Sequence, residues 1–272
     1  MDANESITST DPKGETSREN GELSHSDKMI GVFTEPSKTF SITSKFPPRT
    51  MDWVLPVLLL FFIAALMRII AMTNEEVYFE AKKQGIERIE KMVESGTLTQ
   101  EQGDDAINAI DQQMEFMNGP IGWVITIATT LIFGFIVFII IVGIYYLFIK
   151  FLLKGEGTFS SALVANGLTA YISIIQMILA GILTMVLGKM FMDTSLASLM
   201  GSDKMTLTGW VLARIDPISI WAYIVLSIGF ARMFKSESTG KYYGLVFGVW
   251  LIGMFILFQL AQAIPFLQNF MQ

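Results

Sequence analysis

Cysteine is absent from the 272 residues, so no disulfide, thiolate nucleophile or Cys-ligated metal site can form. Histidine occurs once, as His25, inside a polar stretch where it reads as an ordinary surface residue. Charge is scarce: Asp, Glu, Lys and Arg make up 16% of the chain, against about 25% in a typical soluble domain. No phosphate-binding loop, zinc-protease helix or Ser-centred elbow occurs. Residues 1–28 lack the apolar run of a cleaved secretory signal, Asp2 stands where myristoylation needs glycine, and no prenylation cysteine exists. Neither a leader nor a lipid anchor is expected.

What the chain has instead is apolar length. Hydrophobic residues make up 52%, gathered in long runs separated by short charged segments. A hydrocarbon core about 30 Å thick needs roughly 20 apolar residues in a helix. Five spans are readable, at about Trp53–Met72, Ile121–Ile149, Leu163–Leu187, Ile218–Phe234 and Tyr242–Leu260. The expected fold is an all-α integral membrane protein, a five-helix bundle occupying 51–272.

Three other segments complete the organisation. Residues 1–27 are polar, with seven acids among Ser, Thr and Gly, and read as a disordered tail. Residues 28–50 interleave Met29, Ile30, Val32, Phe33, Phe40, Ile42 and Phe46 with Lys28, Lys38, Lys45 and Arg49, a pattern suited to the membrane interface. Pro36 is placed in a first helical turn, with Thr34 as the cap. Residues 73–120 carry eleven acids and four bases and show two amphipathic periodicities, Phe79, Ile86, Ile89, Val93 and Ile107, Ile110, Met114, Met117. Ser95-Gly96 ends the first helix and Thr99 with Gln102 caps the second, giving a soluble acidic hairpin.

Basic residues favour cytoplasmic loops. Lys38, Lys45, Arg49, Lys150, Lys154, Arg232, Lys235 and Lys241 fall in short segments on the N-terminal side, while Lys189, Lys204 and Arg214 are spread over a longer loop opposite. This bias places the N-terminus inside and the hairpin 73–120 outside.

Few residues are candidates for chemistry. Arg68 lies about one turn from the end of the first span, so a snorkelling anchor is favoured over a pore or anion site. Glu75 and Glu76 lie close enough in sequence to pair with it. Asn166 and Gln176 share roughly one face of the third span, where interhelical hydrogen bonding is favoured over a polar path. Gln259 is a further polar group near the end of the fifth span. Asp216-Pro217 has the form of a helix start, not of a catalytic acid, which would need a partner. Lys150, Lys154, Arg232, Lys235 and Lys241 gather at one membrane face, where they serve the topology signal and can meet anionic headgroups. The hairpin acids lack the alternating spacing of a calcium loop. Neither a catalytic nor a metal site is expected, nor a cofactor or nucleic acid.

Three stretches carry a resemblance: Gly31 to Phe40, with Pro36 and a later aromatic; Gly155 to Leu163, joining second and third spans; and Asp216 to Trp221 continuing through Gly229, Lys235, Gly240 to Gly244 and Trp250-Leu251. In order and spacing they resemble the Yip family of polytopic membrane proteins, in its bacterial branch, across about 29–260. The resemblance implies a five-span helical bundle with a cytoplasmic N-terminus, here in a bacterial inner membrane. In eukaryotes the family is associated with small prenylated GTPases and vesicle traffic. The Asp-Leu-Tyr-Gly-Pro signature of that branch is missing, so GTPase binding is not carried over. The hairpin at 73–120 is an insertion relative to the compact family core.

The functional expectation is a non-enzymatic membrane scaffold or accessory protein that binds membrane lipids, other membrane proteins or a second copy of itself. The alternative is a small transporter or channel subunit, which requires Arg68, Asn166, Gln176 or Gln259 to face one cavity.

Overall fold

The computed structural model describes residues 21–264, and among them every regular element is an α-helix. Two short helices open the chain, α1 (His25–Thr34) and α2 (Pro36–Thr43). The long apolar helices are α3 (Met51–Ala71), α6 (Pro120–Phe151), α7 (Phe159–Leu187), α10 (Pro217–Met233) and α11 (Gly240–Ala263). The hairpin is α4 (Glu75–Glu94) and α5 (Gln100–Met117), and two short helices, α8 (Leu196–Met200) and α9 (Leu207–Leu212), interrupt the connection between α7 and α10.

The five apolar helices match the five expected spans. Four of them, α3, α6, α7 and α11, are long and apolar enough to cross a membrane. The fifth, α10, is apolar but has 17 residues, roughly 25 Å at 1.5 Å per residue. The chain is therefore a multi-pass helical membrane protein.

α7 forms the centre of the bundle, packed most extensively by α3 and α10. Its face of small residues permits this. A Cβ on Gly167 would stand 2.3 Å from the Trp53 Cα, and one on Gly181 would meet the Met67 side chain. The core around α7 takes Val142, Tyr145 and Ile149 from α6, Phe230 and Phe234 from the end of α10 and its cap, and Tyr242 and Val246 from α11. α6 stands at the rim, with only 6% of its most apolar window buried in the protein. Its residues Ile132, Phe133, Ile136 and Ile140 are exposed and face the lipid that such a helix requires.

Two sequence assignments near the N-terminus need correction. The polar tail does not reach residue 27. Ser24 caps α1 in a reciprocal box with Asp27, so helix begins at His25, while residues 1–20 lie outside the described region. Thr34 is not the cap of α2. That position is Glu35, without a side-chain cap, and the Thr34 hydroxyl donates back to the Ile30 carbonyl. Moreover, 28–50 is not only an interfacial strip: Val32 and Phe40 are wholly buried, and Phe40 lies against Gly229 of α10.

The hairpin has the expected form. α4 and α5 run antiparallel, with Gly85 against Ile110 and Gly103 against Val93 and Ile89. Thr99 and Gln102 form the reciprocal box. Gly96 adopts φ +72°, the left-handed turn conformation that glycine tolerates without strain. Lys82 and Asp111 link the helices at 2.5 Å.

Candidate functional site: two polar clusters within the bundle

Polar side chains collect in two places, one among α1, α3 and α7 and the other among α7, α10 and the connection between them. The inner cluster ties α1 to α3. Asp52, in the first turn of α3, and Lys28, on the buried face of α1, are both 2% exposed, and Lys28 Nζ donates to Asp52 Oδ2 at 2.5 Å. Asp52 Oδ1 lies 2.9 Å from His25 Nδ1, and His25 Nε2 lies 2.7 Å from the Tyr171 hydroxyl on α7. With the proton on Nδ1, the ring donates to Asp52 and accepts from Tyr171, so both nitrogens are satisfied. Arg49 binds Glu22 beside them, and Glu22 Oε1 is 3.9 Å from Lys28 Nζ. The cluster holds two acids, Glu22 and Asp52, and two basic groups, Lys28 and Arg49, a balance that burial demands. Glu22 Oε1 is left buried without a hydrogen-bond partner.

The outer cluster joins α7, α10 and the connection between them. Asp216 is the cap of α10, accepting from the Ile218 and Ser219 amides, and is 2% exposed. Its remaining capacity goes to Thr194, whose amide and hydroxyl both donate, and to Gln176 of α7, at 2.6 Å from Oδ2. Gln176 also donates to the Ser219 hydroxyl at 2.9 Å. Asp193 next door accepts from the hydroxyls of Ser195 and Ser198 and from Lys204 at 3.0 Å. Burial pushes its carboxyl up, but the Ser195 and Ser198 hydrogen bonds and Lys204 outweigh that and hold it down at about 2. The connection is anchored to α11 by the Trp210 indole, which donates to the Met254 carbonyl at 3.3 Å and packs on Phe255 and Phe258.

The candidate residues from the sequence separate. Gln176 enters the outer cluster as an interhelical hydrogen-bonding group. Asn166 donates to Ala162 within its own helix. Arg68 is exposed in the last turn of α3 and forms no ion pair among the described residues, with neither Glu75 nor Glu76 engaging it. Gln259 is exposed on α11. These four do not meet in one cavity. Two open surface hollows, of about 500 and 430 Å³, are lined by Met72, Glu75, Tyr78 and Asn118 and by Ile144, Phe148 and Phe151, and by none of these four.

The basic residues do lie at one end of the bundle. Lys150 donates to the Gly155 carbonyl, and Arg232 to the Ser37 hydroxyl, so both also fasten loops. Lys154 and Lys235 are exposed, at φ +54° and +57°, and Lys241 lies over the Tyr242 ring.

Two features escaped the sequence. His25 is a bridge and not a surface residue, and nothing local signals this, because Asp52 and Tyr171 are 27 and 146 residues away. Arg214 is not an ordinary loop cation, since its guanidinium sits between two indole rings. No group of His, Asp and Glu among the described residues could hold a metal ion.

The quoted motifs have a packing role. Gly155 and Gly157 lie against Phe234, and a Cβ on Gly157 would stand 2.8 Å from the Met233 carbonyl. Gly229 receives Phe40, and Asp216 starts α10. No curated protein and no solved structure matches the chain. The family model for the Yip1 domain matches residues 30–260, most of the chain, and with this bundle it places the protein in the Yip1-domain family.

Proposed function

We propose that this Yip-family membrane protein is a non-enzymatic scaffold or accessory protein, acting by binding other membrane proteins or lipids. One observation carries the reading: most polar groups within the bundle pair with each other instead of lining a passage. Gln176 and Asp216 satisfy one another, and Lys28, Asp52, His25 and Tyr171 form a closed set. The broad apolar face of α6 is free for lipid or a partner helix.

Purification in mild detergent, with identification of co-purifying proteins and lipids, tests the leading reading. A stoichiometric membrane-protein or lipid companion is expected; a protein that emerges alone, yet moves a solute when reconstituted, contradicts it. The same proposal places the N-terminus in the cytoplasm of a bacterial inner membrane and the α4–α5 hairpin outside. The cysteine-free chain makes this direct to test: cysteine introduced at Ser95 should react with an impermeant maleimide in intact cells, and at Ser236 should not.

A further inference from the structure

The outer cluster contains one cation, Arg214, that forms no ion pair with either of its acids, Asp193 and Asp216. Arg214 Nε is buried and has no hydrogen-bond partner, and the guanidinium makes no ion pair among the described residues. Its carbon lies 5.6 Å from the Trp210 ring centroid and 5.7 Å from that of Trp250, so aromatic faces wall it on two sides. The acids nearest in the chain and the fold are already engaged. Asp193 is taken by Lys204, Ser195 and Ser198, and Asp216 by Gln176, Thr194 and two backbone amides. Asp193 acts on Arg214 through its field alone, without an ion-pair contact. A guanidinium is always charged, and it offers a planar fork that fits two oxygens of an oxyanion. Packed beside two indoles with its Nε buried and unpartnered, the guanidinium is restricted in orientation, which favours such a ligand.

The flanking side chains indicate the source of that oxyanion. Leu207, Val211 and Ile215 are exposed around Arg214, on a segment packed against the spanning helix α11. Acyl chains can cover these side chains while a headgroup reaches the fork. We propose that Arg214, walled by Trp210 and Trp250, is a phosphate-binding site filled by the headgroup of an anionic phospholipid. This deepens the lipid-binding part of the function proposed above and rests on it.

The test uses the full-length protein in mild detergent. Phosphatidylglycerol is titrated in, following tryptophan emission and the melting temperature, with inorganic phosphate in a parallel arm. Saturable lipid-dependent changes in both signals are expected. Arg214→Gln should abolish them, and Arg214→Lys, which keeps the charge but not the fork, should weaken the apparent affinity at least fivefold. A response to inorganic phosphate alone, lost in the same variants, supports the site and assigns it to the free anion. Wild-type affinity in both variants, or in Arg214→Lys alone if Arg214→Gln does not fold, overturns the site. Retention of a co-purifying protein partner in that case leaves the accessory reading standing.

Discussion

Gln176, midway along α7, donates to Asp216 at the head of α10 across 2.6 Å, and that contact ties the two helices together. Asp216 both starts its helix and receives Gln176 and Thr194. It also accounts for the shortness of α10, which begins inside the protein, at the depth of Gln176.

Asp216→Ala should therefore cost more than an ordinary cap. Loss of the cap is about 1 kcal/mol. Leaving the Thr194 hydroxyl without its acceptor, and the Gln176 amide with Ser219 alone, adds about 1–3 kcal/mol. A thermal-unfolding comparison in detergent should show a large loss for Asp216→Ala and a smaller one for Asp216→Asn, which keeps an acceptor oxygen. Equal melting temperatures for wild type and Asp216→Ala would remove the hub role.

The Lys28–Asp52 pair fastens α1 to the first span, with both partners almost fully buried. Breaking it by Lys28→Met alone should cost about 3–5 kcal/mol, because Asp52 is left charged with only His25 beside it. The double variant Lys28→Met, Asp52→Leu should recover most of that loss. Additive losses in the double variant would mean that the two residues act independently.

Close approach of α3 and α7 rests on Gly167. An alanine there meets the Trp53 Cα at 2.3 Å and the Asp52 carbonyl at 3.0 Å, both backbone, so the helices must separate. Gly167→Ala should destabilise by about 1–3 kcal/mol. Gly143→Ala on α6 meets nothing within 4 Å and should be neutral or mildly stabilising, since alanine favours helix by about 1 kcal/mol. Chemical denaturation of the two variants side by side checks the contrast.

Asp193 gives the outer connection a pH dependence. Its folded-state pKa, about 2, lies below the ordinary 3.8. A depressed carboxylate pKa contributes stability that is complete above the unfolded value and is lost as pH falls through the folded one. Wild type should thus lose stability between about pH 4 and pH 2 relative to Asp193→Asn, which lacks the titrating group. Parallel pH profiles for the two proteins would exclude this contribution.

The spans were readable because a run of roughly 20 apolar residues has few alternatives to crossing a bilayer. The hairpin was readable because Gly96 and the Thr99 box are local signals. The start of α7 was missed by four residues: Ser160 and Ser161 look polar, but Thr158 caps the helix and Ser161 completes the box. Gln176 could be placed on an inward face, yet its acceptor, Asp216, lies 40 residues onward and is brought near only by the fold of the connection. His25 fails for the same reason, since a side chain defined by distant partners leaves no trace in its own neighbourhood, and Arg214 fails through Trp250, its second ring, far along the chain. The Gly155, Gly157 and Gly229 positions were visible as a family pattern, and the packing on Phe234 and Phe40 supplies their cause.

Solute flux in reconstituted vesicles tests most directly the claim that the bundle's polar groups are locked partners and not a conduit. Vesicles containing the protein should be as tight to ions and small solutes as empty ones, and Arg68→Gln and Gln176→Leu should leave that tightness unchanged. Flux through the wild-type protein that either substitution abolishes would contradict the account.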